Sequence, residues 1–167
     1  MQVVSELQSQ VEKLKEEVKT LQPGQQPSES TTTTATPEPA TTVERRILWV
    51  DDEPQNNILL SEFLRDQGVD VDVALSTAEA MRQIGRRTYA AVVTDLGRVE
   101  EGNYVDDAGV ELIKCVRDRN ITIPIYVYTS KDGVKRARTV AEQAGAELVT
   151  TTSTVLMSYL KQLLKIP

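Results

Sequence analysis

Three aspartates and a threonine in this sequence are placed where they could act together in chemistry. They are Asp51, Asp52, Asp95 and Thr129, and each lies just after a run of mostly apolar residues. If these runs are parallel strands, their carboxyl ends share one sheet edge, so the four side chains converge. Three carboxylates form a hard-oxygen site of the kind that Mg²⁺ prefers. A nearby hydroxyl can bind an oxyanion and a carboxylate can accept a phosphoryl group, so the set is suited to phosphoryl transfer.

The composition excludes several other kinds of chemistry. The chain has no histidine and one cysteine, Cys115, which rules out histidine triads, histidine-ligated zinc and an internal disulfide. We predict that Cys115 fills a helix core position. The net charge of −6 argues against general nucleic-acid binding. The sequence contains no apolar run of about 18 residues and no signal-peptide core, so we expect a cytoplasmic protein without a membrane segment.

Residues 44–167 contain five apolar segments that alternate with five amphipathic ones. This alternation predicts an α/β domain with a doubly wound parallel sheet, covered by helices on both faces. The predicted strands are 47–50, 69–73, 89–94, 123–128 and 146–149. Four predicted helices begin near Pro54, Ser76, Ala108 and Ser153, and a basic helix with Lys135, Arg136 and Arg138 ends at Gly145.

The first 43 residues have a different pattern. In residues 1–21, valine and leucine alternate at heptad spacing, which favours a parallel two-stranded coiled coil. A single amphipathic helix that frays or docks elsewhere is the alternative, since three heptads are short. Residues 22–43 are rich in Ser, Thr and Pro and predict a flexible linker. The seam of the possible homodimer consists of Val4, Leu7, Val11, Leu14, Val18 and Leu21.

Residues 45–167 resemble the receiver domain of two-component response regulators, a flavodoxin-like (βα)₅ module. The resemblance lies in three segments that agree in order and spacing. They are Ile47–Glu53, Val92–Asp95 and Ile123–Ser130.

This resemblance implies a role for each residue of the acidic set. Asp95 would be the phosphoacceptor, taking phosphate from a partner histidine kinase. Asp51 and Asp52 would hold Mg²⁺ together with Asp95 and the backbone carbonyl of Gly97. Thr129 would bind a phosphoryl oxygen and move inward on activation. Such a protein is not an enzyme beyond catalysing its own phosphorylation and dephosphorylation.

The sequence departs from the family pattern in two places. Receivers of this family carry a lysine after the fifth strand, but here the stretch is Thr150-Thr151-Thr152, and Glu147–Val149 has no aromatic switch residue. Lys131 is a candidate substitute cation, or else a solvated loop lysine. The segment 96–108 is longer than usual, and we consider a lid, a specificity loop or a tolerated surface insertion. Basic residues on the helix after the fourth predicted strand form either a solvated face or a contact for an acidic partner; they are Lys135, Arg136 and Arg138.

Three functional interpretations remain open from the sequence. The first is a phosphorylatable receiver, supported by the acidic set and Thr129. The second is a pseudo-receiver that binds proteins independently of phosphorylation, supported by the missing lysine and ring. The third is a metal-dependent hydrolase, which the absence of a general base disfavours. The 167 residues contain no second globular segment, so we expect output through a partner or through the N-terminal helix.

The heptad pattern makes a prediction about self-association. We expect the full chain to sediment as a dimer and a truncated chain of residues 44–167 to sediment as a monomer, because the apolar seam needs a partner. Analytical ultracentrifugation of both proteins at the same concentration checks this. Identical association states would show that the seam does not dimerise the chain.

Overall fold

The computed structural model describes residues 44–167 together with Ser9 and Glu12. The predicted coiled coil of residues 1–21, its seam and the linker 22–43 therefore lie outside the described residues. Residues 44–167 form the predicted α/β fold, with a five-stranded parallel sheet in the order β2-β1-β3-β6-β7. The strands are β1 Arg46–Val50, β2 Asp70–Ala74, β3 Ala91–Thr94, β6 Ile125–Tyr128 and β7 Leu148–Thr150, and a separate antiparallel pair consists of β4 Arg98–Glu100 and β5 Asn103–Val105.

Five α-helices connect and cover the strands of the sheet. A 3₁₀ turn at Pro54–Asn57 leads into the first of them, where the proline removes only an N–H that has no helical partner. Gly145 ends the fourth helix with a φ of 114°, the left-handed conformation that a glycine adopts without strain. The helices are α1 Ile58–Asp66, α2 Thr77–Ile84, α3 Ala108–Asp118, α4 Lys131–Ala144 and α5 Ser153–Leu164.

The sheet is buried on both faces, as the unbroken apolar run in β1 predicts. Leu48 and Val50 point into the core formed with α2, α3 and α4. Ile47 and Trp49 point into the opposite core, formed with α1 and α5. All four side chains are at most 1% exposed, so β1 is the central element that both layers share.

The structure corrects three expectations about individual segments. The loop predicted at 96–108 contains the β4–β5 hairpin, whose turn residues Glu101 and Gly102 have φ values of 50° and 85°. The apolar pattern of Ile58, Leu59, Leu60, Phe63 and Leu64 predicts that all five lie on the inward face of α1. Leu59 is instead 78% exposed, because Leu60 and Leu64 form the face of α1 that packs on the sheet. Cys115 is exposed and is not a core residue.

Several exposed apolar side chains lie where α1 meets α5. Leu59 and Phe63 of α1 line a shallow groove with Met157 and Lys161 of α5. The Lys161 ammonium lies 5.1 Å from the centre of the Phe63 ring, close enough for a cation–π attraction.

Within the described residues, no helix is both long enough and apolar enough to cross a membrane.

A buried tyrosine supports β2 from the start of β3. The hydroxyl of Tyr89, a residue 6% exposed, donates to Asp72 Oδ2 at 2.8 Å. Burial raises the pKa of Asp72, but hydrogen bonds from Tyr89 and Arg87 outweigh this and lower it overall. Burial and the neighbouring Asp72 charge raise the pKa of Tyr89 to about 12, so this hydroxyl remains a donor at neutral pH.

Removing this hydroxyl tests the interaction. We expect Tyr89→Phe to lower the free energy of unfolding at pH 7 by about 1–2 kcal/mol, because Asp72 loses a donor. The pKa of Asp72 is lower in the folded protein, so its contribution is complete above the unfolded value of about 3.9 and is lost at lower pH. Urea unfolding should therefore show the difference at pH 7 and a smaller one near pH 3. Tyr159→Phe, which removes an exposed hydroxyl, is the matched control; an equal loss in both variants would contradict the assignment.

Candidate functional site

The register of the parallel strands brings the predicted site residues to one edge of the sheet. Val50 pairs with Thr94 across β1 and β3, and Thr94 pairs with Val127 across β3 and β6. Residues that follow these positions therefore emerge side by side. One carboxylate oxygen each from Asp51, Asp52 and Asp95 lies within 4.8 Å of the others. The sequence prediction that these three residues converge is correct.

Asp51 is the most buried of the three aspartates, at 7% exposure. Its Oδ1 accepts a hydrogen bond from the Glu53 backbone amide at 2.8 Å, and its Oδ2 accepts one from Asn57 Nδ2 at 2.7 Å. Burial raises the pKa of Asp51, the Glu53 amide opposes this, and the nearby charges of Asp52 and Glu53 raise it further. The carboxylate is thus held in one orientation by two donors from the turn that follows β1.

The β4–β5 hairpin supplies the donor to the second aspartate. The backbone amide of Val99 donates to Asp52 Oδ2 at 2.9 Å. The 96–108 segment is therefore part of the acidic site, which excludes the interpretation of a surface insertion that only adds length.

Asp95 is paired with an arginine from the same hairpin. Arg98 Nη1 lies 2.7 Å from Asp95 Oδ1, and the Arg98 side chain is fully buried while that of Asp95 is 16% exposed. Burial raises the pKa of Asp95 to about 7. The charge and hydrogen bond of Arg98 counteract this rise, while the charges of Asp51 and Asp52 add to it. Arg98 is the neighbouring cation that favours the charged form of this carboxylate.

The remaining N–H groups of Arg98 are also occupied. Nε lies 2.6 Å from Glu100 Oε1, and the two terminal nitrogens donate to the hydroxyls of Thr94 and Thr77 at 2.9 and 2.6 Å. Nη2 also donates to the carbonyl of Ala108 at 3.2 Å. A buried charge is costly unless it is both paired and hydrogen-bonded, and Arg98 meets both conditions.

The acidic edge opens into a cleft of about 450 Å³. Thr129 lines it opposite the aspartates, at the N-terminal end of α4. A Cβ atom at Gly133 would overlap the Thr129 hydroxyl, so glycine lets the first turn of α4 approach this side chain. Gly97 also lines the cleft, and a Cβ there would overlap the hydroxyl of Tyr104.

The structure also shows which basic residues are near the cleft. Lys131, the candidate substitute for the missing lysine, is exposed and does not line the cleft, and neither do the threonines 150–152. Arg136 does line it, and its Nη2 donates to the backbone carbonyl of Asp106 at 2.9 Å. Arg136 is therefore engaged within the domain, between α4 and the segment after β5.

Comparison with known proteins identifies the fold and the family. The family model described as the response regulator receiver domain matches residues 47–151. The chain belongs to this family.

Relatives of this receiver domain include sensor proteins as well as response regulators. Sensor protein EvgS of Escherichia coli is 32% identical over 84 residues, which are 50% of this chain and 6% of that protein. Response regulator TrrA from Thermotoga maritima, solved with Mg²⁺ and BeF, is 26% identical with a TM-score of 0.59, covering 71% of this chain and 97% of that one. A sensor protein from a Polaromonas species is 28% identical with a TM-score of 0.56, covering 72% and 95%.

Sequence reasoning identified the acidic residues of this receiver but missed the residues that support them. Arg98, Asn57 and the Val99 amide were not assigned to the site. In the sequence, the segments Arg98–Glu100 and Asn103–Val105 lie on either side of Glu101-Gly102. Two-residue hairpin turns require positive φ, which glycine adopts readily, so this pattern was a signal for a hairpin. The sequence could not show that Arg98 pairs with Asp95. This pairing depends on how the hairpin packs against the sheet edge, which local sequence does not specify.

Proposed function

We propose that this receiver domain accepts a phosphoryl group on Asp95, with Mg²⁺ held by Asp51, Asp52, Asp95 and the backbone carbonyl of Gly97. The donor would be a partner histidine kinase or another phosphodonor protein. The domain acts as a signalling module and not as an enzyme with an external substrate. A cytoplasmic location and a homodimer through the N-terminal heptads remain parts of this proposal.

The observation that carries this proposal is the convergence of three carboxylates beside a threonine hydroxyl in one open cleft. The carboxylate donor set fits Mg²⁺, which takes oxygen ligands and few protein carboxylates. When bound, Mg²⁺ would neutralise charge on the acidic trio and on the phosphoryl oxygens.

The residues of this chain have separate parts in the transfer. A free oxygen of the Asp95 carboxylate attacks phosphorus and forms an O–P bond, while the P–N bond to the donor imidazole breaks and its electron pair stays on nitrogen. Arg98 bonds to the buried side of Asp95 and does not line the cleft, so the side of the carboxylate that faces the cleft is available for attack. The hydroxyl of Thr129, which lines the same cleft, would donate to an oxygen of the transferred group.

A pseudo-receiver is the second candidate function, and one observation favours it. The residues after β7 are Thr151 and Thr152 where receivers carry a lysine, and β7 has no aromatic residue. A module of this kind would bind its partner through a fixed surface, with Asp95 permanently paired to Arg98. Measurement of a covalent phosphoryl adduct separates the two candidates.

Intact-mass spectrometry tests phosphorylation directly. We expect the full chain incubated with acetyl phosphate and Mg²⁺ to gain a single phosphoryl group, and Asp95→Asn to gain none, because the amide cannot form the acyl phosphate. Asp132→Asn, which changes another carboxylate of the same cleft, should still be modified. An unmodified wild type with acetyl phosphate, carbamoyl phosphate and phosphoramidate would favour the pseudo-receiver.

Thermal unfolding in the presence of Mg²⁺ tests the metal site. Binding to the folded state alone should stabilise the wild type by about 1.4 kcal/mol at ten times the dissociation constant. We expect Asp52→Asn to lose most of this stabilisation, because it removes a ligand charge without changing side-chain size. Asp66→Asn, on the exposed end of α1, serves as the control. Equal Mg²⁺-dependent shifts in all three proteins would contradict a site at Asp52.

A further inference from the structure

The hairpin β4–β5 is attached to the acidic site through side chains and backbone together. Arg98, its first residue, bonds to Asp95 at 2.7 Å and to Glu100 at 2.6 Å, so one guanidinium joins the phosphoacceptor to the hairpin. Glu100 in turn accepts from the Thr77 amide and hydroxyl, at 2.9 and 2.7 Å. This chain of contacts runs from Asp95 through the hairpin to the start of α2.

Two further contacts hold the hairpin against the cleft. The Val99 amide donates to Asp52 at 2.9 Å. After β5, the Asp106 carbonyl accepts from Arg136 of α4 at 2.9 Å, and the Asp106 and Asp107 carboxylates lie 3.6 and 3.8 Å from the same guanidinium. The hairpin region therefore contacts the site, α2 and α4, and among the described residues it is the element most directly bonded to Asp95.

We propose that Arg98 is a positioning residue that couples the charge of Asp95 to the β4–β5 hairpin, so that phosphorylation of Asp95 loosens this hairpin. The coupling rests on the proposed function, because it needs Asp95 to be the acceptor. It provides a readout for a domain that has neither the lysine nor the aromatic residue that its family uses near β7.

Charge balance around Arg98 gives the physical reason. In the free domain the buried guanidinium faces two carboxylates, those of Asp95 and Glu100. When the Asp95 oxygen bonds to phosphorus, the carboxylate becomes a neutral acyl group and the leaving group of the donor takes the electron pair of the broken bond, while the phosphoryl oxygens on the cleft side keep the negative charge that they carried in the donor. Arg98 does not line the cleft, so it keeps a weaker hydrogen bond to Asp95. Arg98 remains charged, so what is lost is the attraction between two opposite charges and not the hydrogen bond itself.

The expected consequence is a partial release of the hairpin from the sheet edge. Glu100 becomes the only carboxylate paired with Arg98, and the hairpin loses a charged link to Asp95. The exposed side chains of Val99 and Tyr104, 43% and 66% exposed, lie on this hairpin, so its movement would alter the surface beside the cleft.

Hydrogen exchange of the full chain, read by mass spectrometry over residues 98–105, tests the coupling. With acetyl phosphate and Mg²⁺ present, we expect these amides to exchange about five- to tenfold faster than without the donor, because the ion pair between Arg98 and Asp95 is lost. Asp95→Asn should show the same increase without any donor, because the amide carries no charge. Intact mass is measured on the same samples.

Variants of Arg98 and Glu100 distinguish coupling to the charge of Asp95 from a purely structural role of these residues. Glu100→Gln should form the adduct as the wild type does, while exchange at residues 100–105 should respond to the donor less than twofold, since the charged pair that joins the Arg98 guanidinium to the end of β4 is gone. Glu101→Gln changes an adjacent carboxylate without a bond to Arg98 and should respond like the wild type. Arg98→Met should lose the donor-dependent increase in hairpin exchange, and Arg98→Lys should retain part of it. If Arg98→Met does not fold, the comparison of Glu100→Gln with Glu101→Gln tests the coupling.

The outcomes are distinguishable. An adduct on the wild type with unchanged hairpin exchange would overturn the coupling and leave the proposed function intact. No adduct, together with faster exchange in Asp95→Asn, would overturn the proposed function and support the coupling to the charge of Asp95. Equal responses in Glu100→Gln and Glu101→Gln would show that the Arg98–Glu100 pair does not carry the link.

Discussion

Repulsion between three carboxylates is the constraint on which the site depends. The parallel register places Asp51, Asp52 and Asp95 with oxygens within 4.8 Å of one another, an arrangement that is unfavourable unless charge is offset. Each carboxylate has its own donor: Asn57 and the Glu53 amide for Asp51, the Val99 amide for Asp52, and Arg98 for Asp95. The fold therefore holds the carboxylates together before any cation is bound, and a cation would offset the charge that remains.

The β4–β5 hairpin makes the segment that follows β3 a structural part of the acidic site. Two of the three carboxylates take their donor from it, and its arginine is fully buried beside the candidate phosphoacceptor. Removing the partner of a buried charge costs much more than the pair contributes. The contacts of Asp95 therefore lead first to the hairpin, and through it to the start of α2 and to α4.

The two faces of the domain differ in how completely they are covered. The core under α2, α3 and α4 contains Leu48, Val50 and the inward residues of those helices, whereas α1 and α5 leave Leu59 and Phe63 partly exposed along a groove. Helical periodicity correctly predicted that α1 packs on the sheet, but it also assigned Leu59 and Phe63 to the buried face of this helix. Apolar residues at a surface are common, so periodicity alone could not identify buried Leu64 and partly buried Leu60 as the leucines that pack on the sheet.

The sequence by itself determined the α/β alternation, the central apolar strand and the acidic set at the strand ends, because these depend on local patterns and on the rule that parallel strands end at one edge. It also showed that the lysine expected after β7 and the aromatic residue expected on that strand are missing. Only the tertiary structure decided which donor each carboxylate receives. Arg98 is three residues from Asp95, but Thr77 is 21 residues from Arg98, and Asp52 and Val99 are 47 apart. Such pairings depend on where a hairpin packs, and nothing in the local sequence specifies that position.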